Sequence, residues 1–181
     1  MCHDALKLPG KRRLPRTSGR IITGHRVPRI PASVASFLAC RRIAVAGVSR
    51  SGNAPANAIL RRLAETGHEV FAVNPNAGEI GGTPCYPSLA AVPGRVEAVM
   101  VVTHPSVAAA VAREALEGNI RHLWFHRSFG SGSVSAEAVA LCRSRGVEPI
   151  EGGCPLMYCG PVDPAHRVFR WVLRLQRRVP G

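Results

Sequence analysis

The stretch R-I-A-V-A-G-V-S-R-S-G-N, Arg42 to Asn53, decides how this chain is read. Its first seven residues are almost all apolar, as a short strand buried on both faces requires. A glycine-bearing turn follows, and a helical pattern begins at Ala56. A turn of this kind, between a buried strand and a helix, is where a doubly wound α/β protein holds a nucleotide's phosphates. Backbone N–H groups and the partial positive charge of the helix start both face that point. The loop reads G-x-S-x-x-G, with Ser49 where the dinucleotide fingerprint has its second glycine. A plain strand-to-helix turn is the competing reading.

The pattern repeats on the C-terminal side. Residues 56–66 carry Ile59, Leu60 and Leu63 at helix spacing and stop at Gly67. Glu69 to Val73 is a second strand, ended by Asn74-Pro75, and Glu97 to Val102 is a third. Pro105 opens a helix over residues 107–117, and Arg121 to Phe125 is a fourth strand. A helix over residues 134–145 closes at Gly146, and Val147 to Ile150 is a fifth strand. Strands alternating with helices of this length imply a parallel sheet covered on both faces. The expectation is an α/β, Rossmann-like three-layer fold with a mainly parallel sheet of about five strands, in the order 3-2-1-4-5. Residues 81–89 break the alternation and read as a loop with a short extra strand. Upstream, S-V-A-S-F-L reads as a turn or two of helix. Asp163-Pro164 starts a C-terminal helix, with Val168, Trp171, Val172 and Leu175 along one strip.

Composition bounds the rest. The chain has 181 residues and a formal net charge of +13. Eight Lys/Arg and one acid fall in residues 1–30, against sixteen and ten in the remainder. The division expected is a basic extension, 1–30, and a single domain, 31–181. A basic arm can bind nucleic acid, but no aromatic residue is interleaved there to stack on bases, so a solvated tail is preferred. No apolar run approaches the ~18 residues of a membrane span, and there is no signal-peptide pattern. A soluble cytoplasmic protein is expected. The six cysteines form no C-x-x-C pair and match no zinc spacing, so reduced thiols and no metal are expected.

Ligands of open parallel sheets bind beyond the carboxyl ends of the strands. A nicotinamide dinucleotide wants an acid at the end of the second strand for its ribose. Here that strand ends in Val73-Asn74-Pro75-Asn76, with neither an acid nor an Arg, and no P-loop occurs.

The ordered set G-V-S-R, V-N-P-N, C-Y-P-S-L, T-H-P, L-W-F-H and G-G-C-P, spread over residues 39–155, resembles the small stand-alone CoA-binding domain family. Its members are related to the N-terminal domain of the succinyl-CoA synthetase alpha subunit. The tail from Cys154 is similar to the C-terminal segment of one bacterial branch. The resemblance implies a Rossmann-like domain that binds coenzyme A or an acyl-CoA through its nucleotide and diphosphate. It places Gly47, Ser49 and Arg50 along the diphosphate, with Asn53 closing the same loop. Asn74 and Pro75 flank the adenosine end, with Tyr86 nearby. Thr103, His104, Pro105 and Trp124 sit against the ligand, and His126 and Cys154 stand toward the pantetheine. Two departures remove positive charge: Asn76 and Gly153 stand where many relatives have a basic residue. Arg50 or Arg127 is the expected compensation.

The chain is too short for the phosphohistidine domain and partner subunit of the synthetase, so binding without catalysis is the first reading. A CoA-dependent enzyme subunit or an NAD(P)-linked oxidoreductase is the alternative. A ligand-sensing regulator with a nucleic-acid-binding arm is a third, with nucleic acid the less favoured partner. The final helix's apolar strip is compatible with a homodimer. A mixed disulfide between CoA and Cys154 or Cys159 is a linked expectation.

Overall fold

The computed structural model describes residues 30–76, 78–128 and 132–159. At its centre lies β1 (Arg42–Ala46), hydrogen-bonded in parallel register to β2 (Glu69–Val73) on one side and β5 (Ala98–Val101) on the other. Ile43 to Ala46 are all buried, which explains the unbroken apolar run. β6 (His122–Phe125) and the short β7 (Ile150–Glu151) extend the sheet in parallel beyond β5. On the far side, β4 (Thr83–Tyr86) pairs in parallel with β2, and β3 (Glu79–Ile80) pairs antiparallel with β4. The hairpin between those two turns on Gly81 and Gly82, at φ +57° and +80°, a conformation glycine adopts without penalty.

The sheet thus has seven strands in the order β3-β4-β2-β1-β5-β6-β7. The Rossmann-like α/β class holds, with two corrections. Seven strands occur among the described residues, where about five and a short extra one are expected. The third strand expected, residues 97–102, lies beside β1 and not outside β2. The position outside β2 belongs to β4, the short strand expected within residues 81–89. Apolar periodicity says that a segment is a buried strand; it does not say which neighbour covers its hydrogen bonds.

Helices fill the connections. α1 (Ala32–Leu38) and α2 (Pro55–Glu65) pack on one face, and α3 (Pro105–Glu117) and α4 (Ala136–Ser144) on the other. β1 alternates between them: Ile43 and Val45 join the α1/α2 core, and Ala44 and Ala46 the α3/α4 core. The α3/α4 layer is built on Ala108, Ala112, Ala115 and Ala138, all fully buried, so α3 and α4 lie close to the sheet and to each other. α2 begins with Pro55 at its first turn and ends ahead of Gly67, which takes φ +93°. At the end of α3 the left-handed residue is Asn119, φ +55°, one position beyond the expected stop at Gly118.

At the amino ends of the strands Arg42 acts as a clamp. Its guanidinium donates to the carbonyls of Arg95 and Pro93, pairs with Glu69 and lies 4.6 Å from the centre of the Phe71 ring. The return from β4 to β5 is thereby tied to β1 and β2 at the end of the sheet opposite the candidate site. The basic extension and the C-terminal helix expected from sequence lie outside the described residues.

Candidate functional site

β1 leads to β2 on one side and β5 lies on the other, so the two βα loops diverge at the carboxyl ends of β1 and β5. Such a divergence opens a crevice. Gly47 lies in it at φ +100°, and a Cβ there would stand 2.3 Å from the Val102 carbonyl oxygen. The glycine is therefore required by the neighbouring backbone, before any ligand is considered.

Two clefts open on either side of this contact. The larger, about 560 Å³, is bordered by Gly47, Ser49, Asn74, Pro75, Thr103 and His104, with apolar surface from Val107 and Val111 on α3. The smaller, about 350 Å³, is bordered by the start of α2 (Ala54 to Ala56) and by His126, Ser128 and Ser133. Gly47, Val102 and Thr103 form the wall common to both. The Thr103 Oγ1 is buried in that wall without a hydrogen-bond partner among the described residues.

The β1–α2 loop is held from within by Asn57. This residue, only 6% exposed, accepts from the Ser49 N–H at 3.0 Å and donates to the carbonyls of Ser49 and Ser51 at 2.7 and 3.0 Å. The Ser49 Oγ accepts from the Ser51 N–H. Two of the amides expected to face a phosphate are thus consumed by the loop itself. Those of Arg50, Gly52 and Asn53 have no partner among the described residues and remain for an anion at the α2 N-terminus. Arg50 and Asn53 are exposed on the loop and border neither cleft.

Asn57 is a site residue that sequence reasoning misses. The available signal is an amide side chain on a helical turn otherwise filled by Ala56, Ile59 and Leu60, a place where a polar group needs partners.

Asn74 is likewise a strut. Its Nδ2 donates to the Val48 carbonyl at 2.6 Å and its Oδ1 accepts from the Asn76 N–H at 2.8 Å. It ties the end of β2 to the β1 loop and forms an Asx turn. His104 caps α3: its Nδ1 lies 2.8 Å from Ser106 Oγ and accepts from the Ser106 N–H at 3.3 Å. An amide can only donate, so the ring proton sits on Nε2 while that bond is made. Pro105 is the first residue of α3 and borders neither cleft. Tyr86 also stays outside the clefts, its ring edge-on to Phe71; the neighbouring Pro87 borders the larger one.

His126 is 9% exposed and 3.1 Å from Ser128 Oγ. Burial lowers its pKa to about 4, so it is neutral at pH 7. It therefore offers no cation to a phosphate. Arg127 does not replace it: its backbone bridges to Gly153, its Nε is buried, and it borders neither cleft.

Trp124 and Cys154 also border neither cleft, although the Cys154 thiol contacts Ser128, which borders the smaller one. Trp124 is fully buried on the α1/α2 face, edge-on to Phe37, with its indole N–H donated to the Gly152 carbonyl at 2.7 Å. Alternation along β6 decides this, because Leu123 and Phe125 point to the other core. Cys154 is 3% exposed, and burial, above all other influences, pushes its thiol up to about 12; Cys159 is pushed up to about 11 for the same reason. At neutral pH neither supplies thiolate in quantity, which weighs against the mixed disulfide with CoA. No group of three metal-binding side chains occurs among the described residues, and no described helix is long and apolar enough to cross a membrane.

A mainly parallel sheet with a glycine-bearing loop at its switch point and clefts on both sides defines a Rossmann-like α/β domain. The particular family is set by comparison: residues 41–160 match the family model of the CoA binding domain, and the chain belongs to that family. The chain is similar to the ADP-forming acetate–CoA ligase I of Archaeoglobus fulgidus, 38% identical over 82 residues. That match takes in 43% of this chain but only 12% of the ligase. A conserved hypothetical protein from Pyrococcus furiosus is 37% identical in a solved structure, with TM-score 0.54 over 62% of this chain and 93% of that one. A hypothetical protein from Pyrococcus horikoshii shares the fold at 24% identity, with TM-score 0.62 over 70% of this chain and 91% of the other.

Proposed function

We propose that the chain is a cytoplasmic binding protein for coenzyme A or an acyl-CoA and has no catalysis of its own. The observation that carries this is the pair of clefts meeting at Gly47, Val102 and Thr103, one on each side of the β1–α2 loop. An adenosine fits the larger cleft, against Val107, Val111 and Pro75. The diphosphate meets the free loop amides and the start of α2. The arm beyond it enters the smaller cleft, where Thr103, His126, Ser128 and Ser133 offer uncharged polar groups suited to the amides of pantetheine.

The same geometry argues against turnover. The Ser128–His126 contact has the form of a nucleophile and base, but an imidazole with a pKa of about 4 is a weak base. Cys154 is buried and protonated. The match to an ADP-forming acetate–CoA ligase favours a second reading, in which the chain is the CoA-holding part of a thioester-forming enzyme completed by another chain.

Isothermal titration with CoA, acetyl-CoA, NAD⁺ and NADP⁺, for the native protein and Ser49→Glu, tests the proposal. The expected result is saturable micromolar binding of a CoA form and no nicotinamide nucleotide. A carboxylate at residue 49 should weaken binding about tenfold or more, the scale of one charge repulsion near a diphosphate. Binding of NAD⁺ alone, or equal binding by the variant, refutes it. Acyl-CoA turnover by the isolated chain refutes the non-catalytic part.

A further inference from the structure

Coenzyme A differs from most adenine coenzymes in carrying a phosphate on the 3′-oxygen of its adenosine ribose, a dianionic group near neutral pH. The larger cleft is ill suited to such a group in three separate ways. Its described lining contains no Lys or Arg. It does contain a carboxylate, Glu114, which reaches it from α3. One Glu114 oxygen accepts from the Ala90 N–H at 3.1 Å, and the other has no partner among the described residues. Finally, two donors at the end of β2, where a Rossmann-type ribose is held, are already spent, and the Asn76 side chain that borders the cleft there is uncharged. The Asn76 N–H goes to Asn74 Oδ1, and the Asn74 Nδ2 goes to the Val48 carbonyl.

A free ribose hydroxyl or an adenine amino group donates hydrogen bonds, and an unpaired carboxylate oxygen accepts them. A phosphate offers that oxygen only repulsion. We infer that the site prefers an ADP unit without a 3′-phosphate, so that dephospho-CoA is held more tightly than coenzyme A, with Glu114 as the residue that sets the preference. This rests on the reading of the cleft as a CoA-type nucleotide site.

The test is titration calorimetry at low, fixed ionic strength with CoA and dephospho-CoA, on the full chain and on two variants, Glu114→Gln and Asn76→Lys. Dephospho-CoA should bind at least about threefold tighter than CoA to the native protein. Glu114→Gln keeps an oxygen for the Ala90 N–H but removes the charge, and should narrow the gap by raising CoA affinity. Asn76→Lys, at an exposed position, should reverse the preference in favour of CoA. Tighter binding of CoA than dephospho-CoA by the native protein overturns the inference while leaving the CoA-type reading intact. So does a preference that Glu114→Gln leaves unchanged. If neither form binds at millimolar concentration, the reading of the cleft falls and this inference falls with it.

Discussion

Replacing Asn57 with alanine tests whether the β1–α2 loop is held by one side chain. The substitution removes three hydrogen bonds, one accepted from Ser49 and two donated to the Ser49 and Ser51 carbonyls. Each neutral bond is worth about 1 kcal/mol net, and a group left buried without a partner costs more. Ser51 is exposed and Ser49 half-buried, so water recovers part of the loss. Alanine, the better helix former, also returns roughly 0.5 kcal/mol. The balance is a destabilisation of about 2 kcal/mol. In urea, with a slope of about 2 kcal/mol per molar, the unfolding midpoint should fall by about 1 M. CoA titration of the folded variant should show an affinity loss of about tenfold, because the amides of Arg50, Gly52 and Asn53 are no longer presented together. Asn53→Ala, in the same loop but exposed, should change stability by less than about 0.5 kcal/mol. An Asn57→Ala midpoint within about 0.2 M of the native value, together with unchanged binding, would refute the account of the loop.

Gly47→Ala should destabilise by several kcal/mol, about 3 or more, or abolish soluble expression, because the new Cβ meets the Val102 carbonyl at a φ unsuited to alanine; a native-like melting temperature would contradict it. His126 has a folded pKa of about 4 against an ordinary value of 6.5, so the unfolded chain binds the extra proton and stability falls as pH drops from about 6.5 to 4. By pH 5 the loss is about 2 kcal/mol, and urea titrations of His126→Gln should lack that slope. Trp124→Phe removes the donor to Gly152 and should cost about 1–3 kcal/mol in urea without altering nucleotide affinity. Native-state alkylation at pH 7.5 followed by peptide mapping should leave Cys154 and Cys159 unlabelled until denaturant is added; rapid labelling of Cys154 would mean that its burial is transient.

Much of the fold is legible because buried parallel strands are written as apolar runs. β2 begins and ends where its sequence does, and β1, β5 and β6 differ from expectation by a residue or two at their ends. β7 is harder to place, since only Ile150 and Glu151 pair, and Val147 fills the α4 core without joining the sheet. Strand order is not legible. The short β4 carries Pro84 and no alternation, yet it takes the place beside β2. In the site, glycine, serine and the strand-end residues Asn74, Thr103 and His104 are visible from their positions after strands. What they do is not. Asn74, expected to flank the adenosine, borders the larger cleft and also braces the loop. Trp124 and Cys154 enter the expected site by resemblance alone, and the direction of each side chain depends on which face its backbone position gives it.

The β3–β4 hairpin has a use beyond completing the sheet. Among the described residues nothing approaches within 4 Å of where a side chain would stand on Gly81 or Gly82, and the turn lies at the extreme edge of the order of strands. Inserted chain at that point would displace no packed atom and interrupt no central ladder. Yet β4 runs directly from this turn to Pro87 on the rim of the larger cleft. A fluorescent group grafted between the two glycines would be joined to the cleft by a single short strand, which makes this domain a natural frame for an optical nucleotide sensor.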